Sequence, residues 1–447
     1  MNNKRITRRT FMRAGAGAAL AARTIVLEPR FAFAAPHAVP PSDRIRFGII
    51  GVGMQGNGLL QTAIGLPSVE CVAACDLYDG RQTLAKEITG KPILTTRRYQ
   101  ELLDNKEIDC IINATPDHWH RKIVIDCCDA GKDVYCEKPM THTVSEGFEM
   151  IDAEKRNKRI VQVGSQRPSS VVFAKAREIV EKGLVGDICL AEGLMGRNDP
   201  GGAWQYPIPP DLSPQTLDWD TWLGAAPKVP FNPMHYQRWR CWQAYGSGVA
   251  GDLFVHLLTG IHFITGINVP PERALASGGL YRWKDGRDVP DVHATVFDYP
   301  KLQVSTRVTL NTETPEVTRI MGQGGLLEIR DGELTFAPQD GLDHGPSFMS
   351  GTWPAALRRD YLANYRNEHP YQHDAQAQEV TRYTSPPGYN ATREHLYTFF
   401  EAVRTRKPVL EDATFGNNTA IACHMANHAY FKKTMALWDA SGRSIRG

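Results

Sequence analysis

Residues 45–56 read Ile-Arg-Phe-Gly-Ile-Ile-Gly-Val-Gly-Met-Gln-Gly, and this stretch decides the fold of the first half of the chain. Its first six residues form a short apolar run of the buried-strand kind, and residues 57–64 continue with helical spacing. Between them stand three glycines in the spacing GxGxxG, at Gly51, Gly53 and Gly56. Such glycines allow a tight turn and let the backbone approach a pyrophosphate, which then lies at the helix N-terminus. The order strand, glycines, helix therefore predicts a dinucleotide-binding turn that includes Met54 and Gln55.

An acidic residue follows the next predicted strand. This residue is Asp76, 25 positions after Gly51. An acid there can accept hydrogen bonds from the adenosine ribose hydroxyls and repels a 2′-phosphate, so it favours NAD over NADP. Three arginines close in sequence leave NADP open: Arg81, Arg97 and Arg98. The structural alternative for Asp76 is a helix N-cap.

Strands and helices continue to alternate after this point. The pattern predicts further strands at residues 109–114, 133–136 and 159–164, and helices at residues 121–130 and 144–157. Such alternation predicts a doubly wound parallel Rossmann sheet for residues 43–164. For residues 165–447 it predicts strands at 188–194, 293–298, 303–310 and 326–336, and core helices that brace both lobes at 394–405 and 417–438.

The composition is that of a globular protein with an unusual start. The chain has 447 residues, of which 42% are hydrophobic and 22% charged, which favours two ordinary domains over a disordered or fibrous chain. Residues 1–34 hold seven of the 51 basic residues and one of the 49 acidic ones. The other residues thus carry 44 bases and 48 acids, a net charge of −4 that gives no sign of a nucleic-acid partner.

The basic start resembles a twin-arginine export signal. Residues 7–13 read Thr-Arg-Arg-Thr-Phe-Met-Arg, a weakly apolar run follows at residues 14–22, and residues 32–34 could be cut by a signal peptidase. The alternative is a basic disordered tail. The run is too short and too polar for a stable membrane anchor. The signal predicts export, to the periplasm in a bacterium with two membranes.

The nine cysteines show neither a CxxC pair nor a Cys/His spacing typical of a metal site, so we expect no bound metal. Twin-arginine substrates fold before export, so buried cysteines can stay reduced.

Two loops follow the later predicted strands, where open α/β sheets bind ligands. They read Thr-Pro-Asp-His-Trp-His at residues 115–120 and Glu-Lys-Pro-Met-Thr-His at residues 137–142. Together with the glycine turn, Trp-Asp-Thr-Trp-Leu-Gly at 219–224 and Gly-Asp-Leu-Phe-Val-His at 251–256, they make the chain resemble the glucose–fructose oxidoreductase and inositol dehydrogenase family (Gfo/Idh/MocA) from about residue 45 onward. The resemblance implies a C-terminal α/β domain with a large, mostly antiparallel sheet that holds a carbohydrate substrate against the nicotinamide. It also implies a homo-oligomer, a dimer or tetramer.

The same resemblance implies roles for particular residues. Those expected at the cofactor, besides the glycine turn and Asp76, are Thr115, Pro116, His118, His120, Glu137 and Lys138. Those expected at the substrate are Trp119, His142, Gln166, Arg167, Asp252 and His256. Weaker candidates are Arg197, His235, Arg240 and Trp242. Residues 199–233, rich in proline and aromatic residues, read either as an excursion across the cleft or toward another subunit, or as a packed surface loop.

Hydride removal from a carbinol needs a base for the hydroxyl proton and a positive group for the alkoxide. Lys138 suits both roles, unless it serves only as a salt-bridge partner of Glu137. Asp252 and His256 are four residues apart and would share one helix face. The resemblance makes His256 the acid/base; its structural alternative is a buried core histidine.

These residues predict an NAD(P)-dependent oxidoreductase with a tightly held cofactor, acting on a secondary hydroxyl of a sugar, glycoside or cyclitol. One alternative is a glycoside hydrolase that oxidises its substrate transiently, eliminates the aglycone, adds water and reduces the ketone again. Another is an oxidoreductase that couples two sugars on one bound cofactor. A third is a sugar-binding protein on a retained dehydrogenase scaffold.

Overall fold

A computed structural model of the chain describes residues 44–339, 348–368 and 380–447. The export signal predicted at residues 1–34 lies outside these residues and stays a prediction. Within the described ranges, no helix has both the length and the apolar character that crossing a bilayer requires.

The first sheet is parallel and doubly wound, as predicted. Its six strands lie in the order β3-β2-β1-β4-β5-β6. They are β1 (Ile45–Ile50), β2 (Val69–Cys75), β3 (Leu94–Thr96), β4 (Cys110–Asn113), β5 (Asp133–Glu137) and β6 (Val161–Gly164). The helices that follow β1 to β5 in turn are α1 (Met54–Ile64), α2 (Asp79–Thr89), α3 (Gln100–Asp104), α4 (Asp117–Asp129) and α5 (Val144–Asn157). Because helices cover both faces of this sheet, β4, β5 and β6 are buried along their whole length.

One helix boundary in this domain differs from the prediction. The helix expected at residues 121–130 begins at Asp117 instead. An acidic residue in the first turn is favoured by the positive end of the helix dipole, and the preceding Pro116 cannot continue a helix toward the N-terminus. The histidines of this loop therefore belong to α4.

The second sheet has ten strands in the order β14-β13-β12-β11-β7-β10-β9-β8-β15-β16. All of its neighbours pair antiparallel except β7 and β10, which confirms the predicted mostly antiparallel sheet. The strands are β7 (Ile188–Gly196), β8 (Arg273–Gly279), β9 (Val292–Tyr299), β10 (Leu302–Thr309), β11 (Thr314–Gly322), β12 (Gly325–Arg330), β13 (Glu333–Pro338), β14 (Thr381–Thr384), β15 (Ala436–Asp439) and β16 (Ser444–Arg446).

The single strand expected at residues 326–336 is wrong. The run is a hairpin of β12 and β13, turned by Asp331 and Gly332, whose φ angles are +47° and +83°. Positive φ at both positions suits a tight hairpin turn and is favourable for aspartate and glycine.

Residues 165–447 contribute seven α-helices within the part of the chain that the structure describes. They are α6 (Val171–Glu181), α7 (Trp219–Leu223), α8 (Pro233–Gln237), α9 (Val255–Thr265), α10 (Ala355–Glu368), α11 (Ala391–Thr405) and α12 (Ala413–Lys432). Although α11 is near the C-terminus, its Phe400 ring lies 5.5 Å from the Phe47 ring of β1. The helix expected at residues 417–438 ends at Lys432, because Lys433 adopts a left-handed conformation and the chain turns into β15.

Candidate active site

A cleft of about 670 Å³ runs along the carboxyl ends of the first sheet. One end contains the glycine turn and Asp76, and the other contains Lys138, Asp252 and His256. We name these the nucleotide end and the substrate end. The volume is within the usual range for a small-molecule site, roughly 300–1,000 Å³.

The glycine turn tolerates no side chain at two of its positions. Gly51 has a φ of +87°, and a Cβ there would lie 2.7 Å from the carbonyl oxygen of Ala114. A Cβ at Gly56 would lie 2.0 Å from the carbonyl oxygen of Gly51. Gly56 therefore packs under the turn and does not line the cleft. No side chain caps α1, so its first-turn amides, next to the cleft-lining Gly53, Met54 and Gln55, suit an anion.

Asp76 organises the nucleotide end. Its Oδ2 accepts a hydrogen bond from the Val52 amide at 2.8 Å, and its Oδ1 accepts from the Tyr78 amide at 3.0 Å. The hydroxyl of Tyr236 in α8 also donates to Oδ1, at 3.4 Å. The N-cap of α2 is Tyr78, so the helix-cap alternative for Asp76 is wrong.

Each of the three nearby arginines has an acidic neighbour. Arg81 lies 3.9 Å from Asp76 and stacks over the Tyr236 ring at 4.9 Å. The partners of the other two are Asp79, 2.8 Å from Arg97, and Glu101, 3.6 Å from Arg98. Arg81 and Asp76 both line the cleft.

The Asp252 carboxylate accepts hydrogen bonds from three side chains at the substrate end. Its Oδ1 accepts from Lys138 Nζ at 2.8 Å and from Arg240 Nε at 2.9 Å, and its Oδ2 accepts from Trp204 Nε1 at 3.1 Å. Burial alone would raise the pKa of Asp252, but the two adjacent cations hold it well below its ordinary value. Asp252 is therefore a carboxylate at neutral pH.

Lys138 is not the salt-bridge partner of Glu137. The Glu137 carboxylate accepts instead from Gln55 Nε2 at 3.0 Å, from Gln166 Nε2 at 3.3 Å and from the Lys138 backbone amide at 3.1 Å. The Lys138 ammonium therefore bonds to Asp252, and the side chain lines the cleft.

His256 lines the cleft close to this ion pair. Asp252 lies in a π-helical turn (Ala250–Phe254) that runs directly into α9, where His256 is the second residue. Both side chains line the cleft, as their spacing predicted. Burial and, after it, the positive charge of Lys138 lower the pKa of His256 well below its ordinary value. The imidazole is therefore neutral at neutral pH.

Within residues 115–120, those that line the cleft are Thr115, Pro116 and Trp119. His118 and His120, which the sequence predicts at the cofactor, do not line the cleft, because their rings are turned into the protein. The His118 nitrogens lie 3.2 Å and 3.0 Å from two carbonyl oxygens, and those of His120 lie 2.8 Å and 2.9 Å from two others. Burial lowers the pKa of His118 to about 4. Both histidines hold loops together.

Of the remaining predicted substrate residues, only Gln166 lines the cleft. His142 Nε2 lies 2.7 Å from the carbonyl oxygen of Gln243, outside the cleft. Arg167 forms an ion pair with Glu316 and also does not line the cleft.

The segment of residues 199–245 lies across the cleft. Its backbone joins the first domain through Asp218 N to Leu77 O at 3.1 Å and Asp79 N to Thr216 O at 3.0 Å. We call residues 199–245 the cover. The high aromatic content of this segment was the signal in the sequence. This segment contributes Arg240 and Trp204 to the site. The sequence analysis named Arg240 only as a weaker candidate and did not name Trp204.

Two family models match the chain. The one described as the oxidoreductase family, NAD-binding Rossmann fold, matches residues 45–165. The one described as the oxidoreductase family, C-terminal alpha/beta domain, matches residues 177–271.

Curated relatives match about a third of the chain. Inositol 2-dehydrogenase of Salmonella typhimurium (strain LT2) is 29% identical over 151 residues, which are 33% of this chain and 45% of that protein. Alpha-N-acetylgalactosaminidase of Shewanella oneidensis is 30% identical over 165 residues, 34% of this chain and 35% of that protein. The chain thus matches less than half the length of these relatives.

Solved structures share the whole fold. Levoglucosan dehydrogenase in complex with NADH and levoglucosan has a TM-score of 0.63 at 19% identity, over 88% of this chain and 98% of that one. Aldose-aldose oxidoreductase from Caulobacter crescentus has a TM-score of 0.64 at 17% identity, over 88% and 100%.

The fold and the cleft define a two-domain Rossmann protein with a nucleotide site at the edge of its parallel sheet. Residues 45–165 and 177–271 match the two domain models of the GFO/IDH/MocA oxidoreductases.

Proposed function

We propose that the protein is an NAD-dependent oxidoreductase that moves a hydride between nicotinamide and a secondary hydroxyl or ketone of a sugar, glycoside or cyclitol. The observation that carries this proposal is the meeting of Lys138, Asp252 and His256 at one end of a cleft whose other end holds the glycine turn and Asp76. The family model and the dehydrogenases among the relatives support it.

NAD, when bound, supplies the hydride acceptor. The first-turn amides of α1 would hold its pyrophosphate, and Asp76 would accept from the adenosine ribose. Asp76 favours NAD over NADP because a carboxylate repels a 2′-phosphate. Thr115 and Pro116 would lie along the cofactor.

The side chains at the substrate end divide the proton chemistry between them. The neutral His256 accepts the proton of the reacting hydroxyl, and the Lys138 ammonium donates a hydrogen bond to the developing alkoxide. Asp252 holds the ammonium in place. In the reverse direction, His256 returns its proton to the ketone oxygen.

Replacement of the lysine tests the proposal. Lys138→Ala is expected to lower the hydride-transfer rate by about 100-fold or more, while NADH binding is retained. Fluorescence titration measures the binding and single-turnover absorbance the transfer. The control Lys91→Ala changes a lysine whose partner is Glu70, on the far side of the first domain, and should alter neither. Failure of the wild type to bind NAD(H) would show that the proposal is wrong.

We further propose that the cofactor stays bound through turnover and that the protein is exported by the twin-arginine route. The cover of residues 199–245 and the resemblance of residues 7–13 to an export signal support this. Mass spectrometry of the nucleotide that copurifies and fractionation of expressing cells test the two points. A homo-oligomer, a dimer or tetramer, is proposed on the resemblance alone and is tested by light scattering.

A second candidate is an NAD-dependent glycoside hydrolase, which the 30% identity to an alpha-N-acetylgalactosaminidase favours. Incubation with aryl glycosides and no added acceptor separates the two functions. Net hydrolysis supports the hydrolase, whereas a simple dehydrogenase releases no aglycone.

A further inference from the structure

Positive charges outnumber negative ones at the substrate end. The side chains that line it include three cations, Lys138, Arg197 and Arg240. Two carboxylates lie beside them, Asp252 and Glu137. Even if both are ionised, one of these three positive charges has no counter-ion among the described residues that line this end.

The two cations on Asp252 share a single oxygen. Lys138 Nζ and Arg240 Nε lie 2.8 Å and 2.9 Å from the same Oδ1. Arg240 is held edge-on by this bond and stacks over the Trp239 ring at 4.2 Å. Its two terminal amino groups have no hydrogen-bond partner among the described residues.

The second carboxylate offers little compensation. Glu137 already accepts from three N–H donors, and burial raises its pKa.

Arg197 is the cation at the substrate end that has no carboxylate partner among the described residues. Within the part of the chain that the structure describes, its guanidinium has neither an ion pair nor a hydrogen-bond partner, although the side chain lines the cleft. Arg167, the other arginine whose charge acts on His256, forms an ion pair with Glu316 and does not line the cleft. The charge of Arg197 also acts on His256, so Arg197 belongs to the substrate end.

We infer that the substrate is a sugar acid, whose carboxylate is bound by the Arg197 guanidinium with help from the free amino groups of Arg240. A guanidinium presents paired N–H donors that match the two oxygens of a carboxylate, and a partly buried cation gains most from such a partner. A sugar phosphate presents a similar charge, so the experiment must separate the two. The inference rests on the proposed function and narrows its substrate class.

Paired ligands test this inference. Titration calorimetry on NADH-loaded protein compares D-glucuronate and D-galacturonate with D-glucose and D-galactose, and adds D-gluconate and D-glucose 6-phosphate. We expect at least one sugar acid to bind about tenfold or more tightly than its neutral counterpart. Turnover with NAD should show the same preference in kcat/KM.

Arg197→Gln is expected to remove that preference, because it weakens binding of the acid about tenfold and weakens binding of the neutral sugar much less. Arg330→Gln, an exposed arginine of β12, is the control and should preserve the preference.

Binding of no acid, equal binding of acid and neutral sugar, or preference for the sugar phosphate alone would overturn the inference. So would a preference for acid that survives in Arg197→Gln. These outcomes presuppose NADH binding, whose absence would instead refute the proposed function.

Discussion

Asp252 shows how a single residue sets the chemistry of a cleft. Its carboxylate accepts from three side chains and is 8% exposed, so it stays ionised and fixes the position of Lys138. His256, four residues later, carries no charge because burial penalises its cationic form. Proton transfer requires two groups in different protonation states, and here Asp252 stays charged while His256 stays neutral.

Glu411 is a second acid whose surroundings set its charge, and it lies in the loop between α11 and α12. It is 1% exposed, accepts from Ser165 Oγ through one oxygen, and its other oxygen has no partner among the described residues. Burial raises the pKa of Glu411 from 4.5 to about 8. The native state therefore binds this proton more tightly than the unfolded chain does. The resulting stabilisation is complete below about pH 4.5 and is lost as the pH rises toward about 8.

Glu411→Gln should remove this pH dependence. Between about pH 5 and pH 8, the free energy of unfolding of the wild type is expected to fall relative to the variant by up to about 1.4 kcal/mol per pH unit. Urea unfolding of both proteins at several pH values measures the difference. Glu107→Gln, at an exposed acid, should follow the wild type. Parallel curves for wild type and Glu411→Gln would contradict the prediction.

Among the elements, α1 contributes to the site through its start. Its first turn has no side-chain cap and is brought against Gly51 by a glycine that has no room for a methyl group. The element is short and weakly amphipathic, so its position depends on this close packing of helix on strand.

Gly56→Ala is expected to lower NADH affinity at least tenfold, because its Cβ would lie 2.0 Å from the Gly51 carbonyl oxygen and must displace the turn. Gly58→Ala, two residues further along the same helix, is the matched control, since nothing lies within 4 Å of its added Cβ. It should bind NADH normally and gain roughly 0.5–1 kcal/mol of stability. Equal NADH affinity in the two variants, by fluorescence titration, would refute this account of the turn.

At the scale of the whole molecule, the chain returns from the second domain to complete the first. Helix α11 covers one face of the parallel sheet, where Phe399 and Phe400 are buried with Phe47 and Ile49. Helix α12 is buried against both domains, with Gly416 next to Val163 of β6 and Ala422 in the core of the second sheet. The nucleotide end of the cleft therefore depends on residues more than 300 positions away from it.

Phe400→Ala should cost about 3–5 kcal/mol of unfolding free energy, because it leaves a cavity between α11 and β1. Leu410→Ala is the control, a truncation at a side chain that is 49% exposed, and should change stability by about 0.5 kcal/mol or less. Equilibrium unfolding in urea measures both. A loss below about 1 kcal/mol for Phe400→Ala would show that α11 is not needed to complete the first domain.

The sequence by itself predicted the parallel sheet, the glycine turn, Asp76 and the trio of Lys138, Asp252 and His256. Short stretches of the chain predict these features, because in each a strand, a turn and a helix follow one another or two residues share a helix face. The sheet, the glycine turn and Asp76 rest on local periodicity and backbone conformation, which need no knowledge of distant contacts, whereas the resemblance to a known family implied the trio.

Only the tertiary structure decided which side chains reach the cleft. His118 and His120 follow a strand end as cofactor-binding residues would, yet carbonyl groups from distant loops hold their rings inside the protein. Arg240 and Trp204 belong to the site because the cover folds back and both side chains donate hydrogen bonds to Asp252. Such contacts join residues far apart in the chain, and the balance of burial and charge that selects them exists only once both domains are packed together.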